Sequence, residues 1–258
     1  MKKLDTHLRG VLLTDINRGL IEKITTARCQ EKVKPATVNR MLEVLRAILR
    51  RAENHWEWLD KAPHVRMLPE PKIRIRYLTT VEFSRLIAEL PNHLAYMASF
   101  SICTGLRENN VTQLNWSQID MSRSVAWIHS DQSKTGKAIT VPLSLEAKAL
   151  LKDLEGNHSH FVFTYQKWNA KIKRFENVPV SRANNHAWRK ALVRAGIENF
   201  RWHDLRHTWA SWHIQNGTPL HVLQELGGWS STEMVKRYAH LSPGHLSEYA
   251  GNANRKII

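Results

Sequence analysis

Arg107, Lys134, His203, Arg206, Trp229 and Tyr238 are side chains of the types needed to move a phosphodiester onto a hydroxyl. A tyrosine hydroxyl, with a pKa near about 10, is a poor nucleophile at neutral pH, so a neighbour must take its proton or stabilise its phenolate. The pentacovalent transition state gathers negative charge on non-bridging oxygens, which planar bidentate donors such as guanidinium groups satisfy best. The departing sugar oxygen needs a proton in turn. Together these side chains could supply all of this without a metal ion.

Each residue also has a plainer reading, and spacing decides how far each can be pressed. In WHDLRH (202–207), His203 and Arg206 lie three apart and so share one face of a helix, where a base and a phosphate clamp would point the same way. His203 and His207 have a spacing that can bind zinc, but no Glu follows His203 and no third ligand is evident, so no metal is expected. In TGLRENN (104–110), Arg107 follows a Thr-Gly break at the start of a helix, where the dipole disfavours a cation and a functional reason is favoured. Lys134 sits in a Lys-Thr-Gly-Lys turn, with Lys137 as its rival. Trp229 follows Gly227-Gly228 and is either a core plug or an indole N–H donor. Tyr238, three residues after Val235 and four after Met234, fits an apolar helix face as well as it fits a nucleophile.

The elements that must position these residues are mostly helical. Residues 35–60 carry Val38, Met41, Leu42, Leu45, Ile48 and Leu49 at helical spacing, with Thr37 as the expected N-cap. Residues 13–32 read as a helix broken near Gly19. Pro63, Pro69 and Pro71 mark 62–78 as an extended basic linker. Thr79 and Glu82 have the spacing of a capping box. Residues 94–116 read as a buried helix, a Thr-Gly break and a second helix, 123–144 as a β-hairpin, and 160–166 as a short strand. From 184 to 249 the pattern is helical again. The expected architecture is mainly α in two domains, a helical one over 1–70 and a mixed α+β one over 77–258 with a small antiparallel sheet.

Composition points the same way. The 258 residues carry 38 Lys and Arg against 23 Asp and Glu, a net charge of +15 that favours a polyanionic partner. The excess is +7 in residues 1–75 (16 basic, 9 acidic) and +8 in the remainder (22 and 14), so it is no single basic tail. Cys29 and Cys103 are far apart and read as buried thiols. No apolar run approaches the roughly 20 residues of a membrane span, and the N-terminus has no signal-peptide core, so a cytoplasmic chain without membrane contact is expected.

The ordered set Arg107, Lys134, His203-x-x-Arg206, Trp229 and Tyr238, in TGLR, KTGK, HDLRH, LGGWSS and RYAHLS, resembles the tyrosine recombinases of the phage integrase family over about 77–245. The resemblance implies that Arg107 and Arg206 hold the scissile phosphate and Lys134 protonates the leaving 5′ oxygen. His203 then assists the tyrosine proton, Trp229 donates a hydrogen bond or buttresses the site, and Tyr238 forms a 3′-phosphotyrosyl bond, with neither metal nor ATP nor other cofactor. It further implies a helical core-binding domain in the first region, a C-shaped clamp on double-stranded DNA, and a homotetramer on paired sites. A docking C-terminal segment over 242–258, an accessory DNA-bending protein and a nucleoid-associated, prokaryotic or phage-encoded chain belong to the same set of expectations. Two departures stand out. Asn110 occupies a position that is often acidic, where it is expected to hydrogen-bond Arg107, and the chain begins almost directly in the core-binding region, as a short form or a fragment would. A type IB topoisomerase-like relaxing enzyme and a non-catalytic DNA-binding regulator on the same scaffold are the alternatives.

Overall fold

The computed structural model describes residues 2–71, 75–133 and 136–242. The chain divides into two compact units, residues 1–74 and 75–258. No helix among the described residues is long and apolar enough to cross a membrane.

The first unit packs α1 (Lys2–Leu8), α2 (Arg18–Gln30) and α3 (Pro35–Asn54). Val38, Leu42, Leu45, Leu49 and Ala52 recur every three or four residues and are buried, so α3 turns one apolar stripe inward. The helix starts earlier than expected: Lys34 is the N-cap and Pro35 opens the first turn, because a proline lacks only an N–H that would be unpaired there anyway. Its end is Asn54 rather than residue 60. The break expected at Gly19 instead falls at Ile16 and Asn17; the Asn17 side chain caps α2 by accepting from the Leu20 N–H, and Gly19 lies inside the helix. Cys29 is exposed and Cys103 half-buried, so neither thiol is the fully buried one expected.

Residues 62–71 are extended but are not a free linker. Val65 is in the first unit's core, and buried Asn39 of α3 clasps the strand through both Leu68 backbone groups (2.8 and 2.9 Å) and the Glu70 carboxylate (2.6 Å).

The second unit begins with α4 (Thr80–Glu89), closed by both hydrogen bonds of the Thr79/Glu82 capping box (2.8 and 3.1 Å). It continues through α5 (Asn92–Thr104) and α6 (Glu108–Thr112) to a three-stranded antiparallel sheet of β1 (Ile119–Asp120), β2 (Val125–Ile128) and β3 (Ile139–Pro142), in the order β1-β2-β3. The hairpin expected over 123–144 is therefore present, with Ile128 opposite Ile139, but its connection is long and includes a 3-10 turn at Ser130–Gln132. After α7 (Leu145–Leu154), strands β4 (Thr164–Asn169) and β5 (Arg174–Pro179) form a separate antiparallel pair. The strand expected at 160–166 thus begins four residues later. Helices α8 (His186–Arg194), α9 (Asp204–Gln215), α10 (Leu220–Gly227) and the single turn α11 (Glu233–Lys236) follow, with a 3-10 turn at Ala239–Leu241 last among the described residues.

Helix α9 is the axis of this unit. Leu205, Thr208, Trp209, Ala210, Ser211 and Ile214 are all buried, so it is covered on nearly every side, chiefly by α5. It also holds the incoming chain: the Leu78 N–H donates to the Thr208 hydroxyl (3.1 Å), and the Trp212 indole N–H donates to the Leu78 carbonyl (2.9 Å).

Candidate active site

Arg206 lies one turn into α9 and is only 5% exposed. Burying a guanidinium is tolerable only when its N–H groups are paired. Here Nη1 donates to the Gly105 carbonyl (2.6 Å) and Nη2 to the Gly227 carbonyl (2.5 Å), while the Trp229 ring lies 4.3 Å from its Cζ. Both acceptors depend on glycine. Gly105 caps α5 at φ +64, and a Cβ there would meet the Trp209 ring at 2.4 Å; a Cβ on Gly227 would meet Trp229 at 2.2 Å. Burial pushes the Arg206 pKa down to about 10, and the charge of Arg107 adds to the effect. Arg107, the N-cap residue of α6, is half-buried, and burial lowers its pKa too. Two cations thus face one site and repel each other, which an arriving anion would relieve.

Tyr238 follows α11, where Val235 and Tyr238 form the inward face and Met234 stays exposed. The tyrosine is 1% exposed and packs in the cluster of Trp209, Ala210, Ile214 and Leu223. Its ring centroid is 6.1 Å from Trp229 and 5.9 Å from His207. The hydroxyl shares a 2.5 Å hydrogen bond with His207 Nδ1. Burial raises the phenol to about 12, against a smaller opposing pull from Arg237 and Arg206. Burial, together with neighbouring His203, lowers His207 to about 4, so at neutral pH a neutral imidazole faces a protonated phenol.

His203 is the N-cap residue of α9, its ring edge-on to His207 at 5.2 Å, and its pKa is lowered by burial and then by Arg206. The side chain at the tyrosine hydroxyl is accordingly His207, one residue past Arg206, and not His203. Sequence spacing singles out His207 only as a possible zinc partner of His203; its place four residues along the same helix is the signal that could have drawn it into the site. Lys134 lies outside the described residues, and Lys137 is exposed.

Among the described residues no side-chain hydrogen bond joins Asn110 to Arg107. Asn110 is buried, and its Nδ2 donates to the Gln132 carbonyl (2.9 Å), in the turn that leads towards residue 134. A carboxylate could not make this bond, since two acceptors would face each other. Asn110→Asp is expected to lower stability by about 1–3 kcal/mol, the usual cost of a lost buried hydrogen bond with its partner left unpaired. Urea unfolding measures this, and equal midpoints for the two proteins would contradict it.

The histidine also sets a pH dependence. His207 ordinarily titrates near 6.5 and is held near 4 when folded, so between those values the unfolded chain binds the extra proton. Its contribution to stability is complete above about pH 6.5 and is lost as the pH falls towards 4. His93, His203 and His213, lowered mainly by burial, act in the same direction. His207→Gln is expected to flatten the fall in melting temperature across that window without removing it.

Comparisons with known proteins give the family. Residues 76–245 match the model of the phage integrase family. The chain is 45% identical to the integrase of Salmonella phage P22 over 274 aligned positions, covering 95% of this chain and 70% of that protein. It is 31% identical to the integrase of Haemophilus phage HP1, covering 83% of this chain and 58% of that one. The chain therefore spans a little over two thirds of one relative and less than two thirds of the other. The catalytic domain of bacteriophage HP1 integrase superposes with a TM-score of 0.51 at 28% identity, over 70% of this chain and 95% of that domain. A lambda integrase tetramer bound to a Holliday junction shares the fold at a TM-score of 0.70 and 20% identity, over 92% of this chain and 69% of that one. With a family match over most of the second unit, and a close relative aligned along nearly the whole length, the chain belongs to the phage integrase family of tyrosine recombinases.

Proposed function

We propose that this chain cleaves and rejoins DNA at specific sites through a covalent 3′-phosphotyrosyl intermediate. The observation that carries the reading is the grouping of Arg206, Trp229, His207 and Tyr238 around one buried cluster, with Arg107 close enough to perturb Arg206. Arg107 and Arg206 would bind the non-bridging oxygens, and the Trp229 indole N–H would add a donor. Tyr238 Oη would form a bond to phosphorus as the bond from phosphorus to the 5′ oxygen breaks, with Lys134 supplying the proton to that oxygen. The phenol and His207 are about eight pH units apart, so the proton would move as the O–P bond forms rather than beforehand. A phosphate nearby would also raise both histidines, making them better bases at the moment of attack.

The test is covalent capture on a nicked suicide duplex built on the sequence the chain selects from a randomised pool. An adduct that survives denaturation supports the reading, and its absence would leave the regulator alternative. Relaxation of a plasmid lacking that sequence would instead favour the topoisomerase-like alternative. Within the same assay, His207→Gln is expected to slow capture by about a hundredfold, the lower range for loss of a general base. If His203→Gln shows the larger loss and His207→Gln almost none, the proton passes through His203. The first unit would contribute further DNA contacts: Arg46 and Arg50 of α3 form no ion pair among the described residues, whereas Arg40 is paired with Glu43. Double-stranded DNA, paired sites and assembly into a tetramer follow from the same reading.

A further inference from the structure

The β4–β5 pair carries an apolar surface that the described residues leave exposed. Trp168 and Phe175 are direct cross-strand partners with ring centroids 5.2 Å apart, edge to face. They remain 51% and 63% exposed, and Ile172 in the turn between the strands is 46% exposed. Side chains of this size usually go inside, and a clustered exposed set marks a contact surface. Lys171 and Lys173 lie in the turn beside the pair, Lys167 and Arg174 stand next to it along the strands on the opposite face, and among the described residues none of the four is in an ion pair. The one acid of the hairpin, Glu176, accepts from Asn169 (2.7 Å). A thin ribbon with aromatic rings on one face and cations in its turn and on the other face suits a polyanion with flat apolar faces. A second copy of this chain suits it poorly, because that copy also carries +15. The fit is to nucleic acid: a two-stranded β-ribbon enters the roughly 12 Å major groove of duplex DNA, and aromatic side chains add contacts with bases.

Building on the reading that the chain acts on DNA, we propose that the β4–β5 hairpin is a DNA-contacting element separate from the catalytic residues, its cations on phosphates and Trp168 and Phe175 against the bases. The test uses the full chain and a fluorescein-labelled duplex of mixed sequence, with anisotropy read at rising salt. W168A/F175A is expected to weaken binding about tenfold at every salt concentration with the salt slope retained. K167Q/K171Q/K173Q/R174Q is expected to weaken binding and make the slope shallower by about 0.9 for each phosphate no longer neutralised. The two variants are independent, so unfolding of one leaves the other decisive. Wild-type binding with unchanged affinity in both variants overturns the hairpin proposal alone. No duplex binding by the wild type overturns it together with the recombinase reading. DNA affinity intact in W168A/F175A, with a fall in sedimenting mass, would make the surface a contact between copies and would also overturn the proposal.

Discussion

Tyr238→Phe is expected to abolish the covalent DNA adduct while leaving the fold and DNA binding in place. Phenylalanine fills nearly the same volume in the cluster around Trp209 and Leu223, so the apolar packing survives. What is lost is the hydroxyl and its bond to His207, which should cost about 1 kcal/mol of stability, somewhat more if His207 Nδ1 finds no replacement partner. Chemistry, by contrast, loses its only proposed nucleophile, so the expected result is no adduct at any time point rather than a slow one. Tyr249 is the rival worth checking, because it follows closely in sequence and lies outside the described residues. Peptide mapping of the wild-type adduct should place the DNA remnant on Tyr238, and Tyr249→Phe should retain the adduct. An adduct formed by Tyr238→Phe would reassign the nucleophile. The 1% exposure of Tyr238 adds a kinetic expectation. On the proposed reading the phenol would reach a phosphate more readily if the segment carrying α11 shifts, and that segment is one helical turn followed by Tyr238, with Val235 and Tyr238 facing inward. Loosening it with Val235→Ala should therefore lower stability more than it lowers capture.

The sequence discloses the residues that act through their own identity and conceals those that act through their neighbours. Arg206 and Tyr238 are legible as candidates because phosphoryl transfer calls for side chains of those types, and Thr79 with Glu82 because a capping box is local. Asn110 looks like a weakened partner of Arg107, since nothing local reveals that a turn 22 residues further on brings a carbonyl to its amide. His207 likewise looks like half of a metal pair until α11 folds back and sets a phenol on its ring. The two glycines are legible as breaks, but their carbonyls become ligands of Arg206 only once α5 and α10 meet α9. The proline-rich stretch reads as a linker because its backbone is extended, yet Asn39 makes part of it a strap on α3. Strand β5 escapes the pattern because RFENVP does not alternate apolar with polar residues and none of its side chains is buried.

Arg206→Lys is expected to slow covalent capture by about a thousandfold with the chain still folded, in the range seen when a guanidinium or an oxyanion donor is removed from a transition state. A guanidinium has five N–H groups. Two of those at Arg206 are taken by the Gly105 and Gly227 carbonyls, which leaves three for a phosphate. The carbonyl bonds therefore orient the fork, and on the proposed reading its remaining N–H groups would hold the phosphate. Lysine keeps the charge and can still satisfy one of the carbonyls, but its three donors cannot hold both carbonyls and bridge two phosphate oxygens. Arg206→Ala would be a poorer probe, since it leaves two buried carbonyls unpaired and removes the face that Trp229 covers. The glycines offer an independent check on the same geometry. Gly105→Ala forces a Cβ towards Trp209 at a left-handed φ, so it should displace the Gly105 carbonyl and depress capture while Arg206 itself is untouched. Melting temperature and capture rate together decide between the possibilities. If Arg206→Lys lowers the melting temperature but keeps capture near wild type, the guanidinium is a structural brace between α5 and α10 and the phosphate is held elsewhere. If capture collapses while the melting temperature moves by only a few degrees, the brace and the clamp are one side chain, whose pKa near 10 reflects burial first and the charge of Arg107 second, both of which an arriving phosphate would offset.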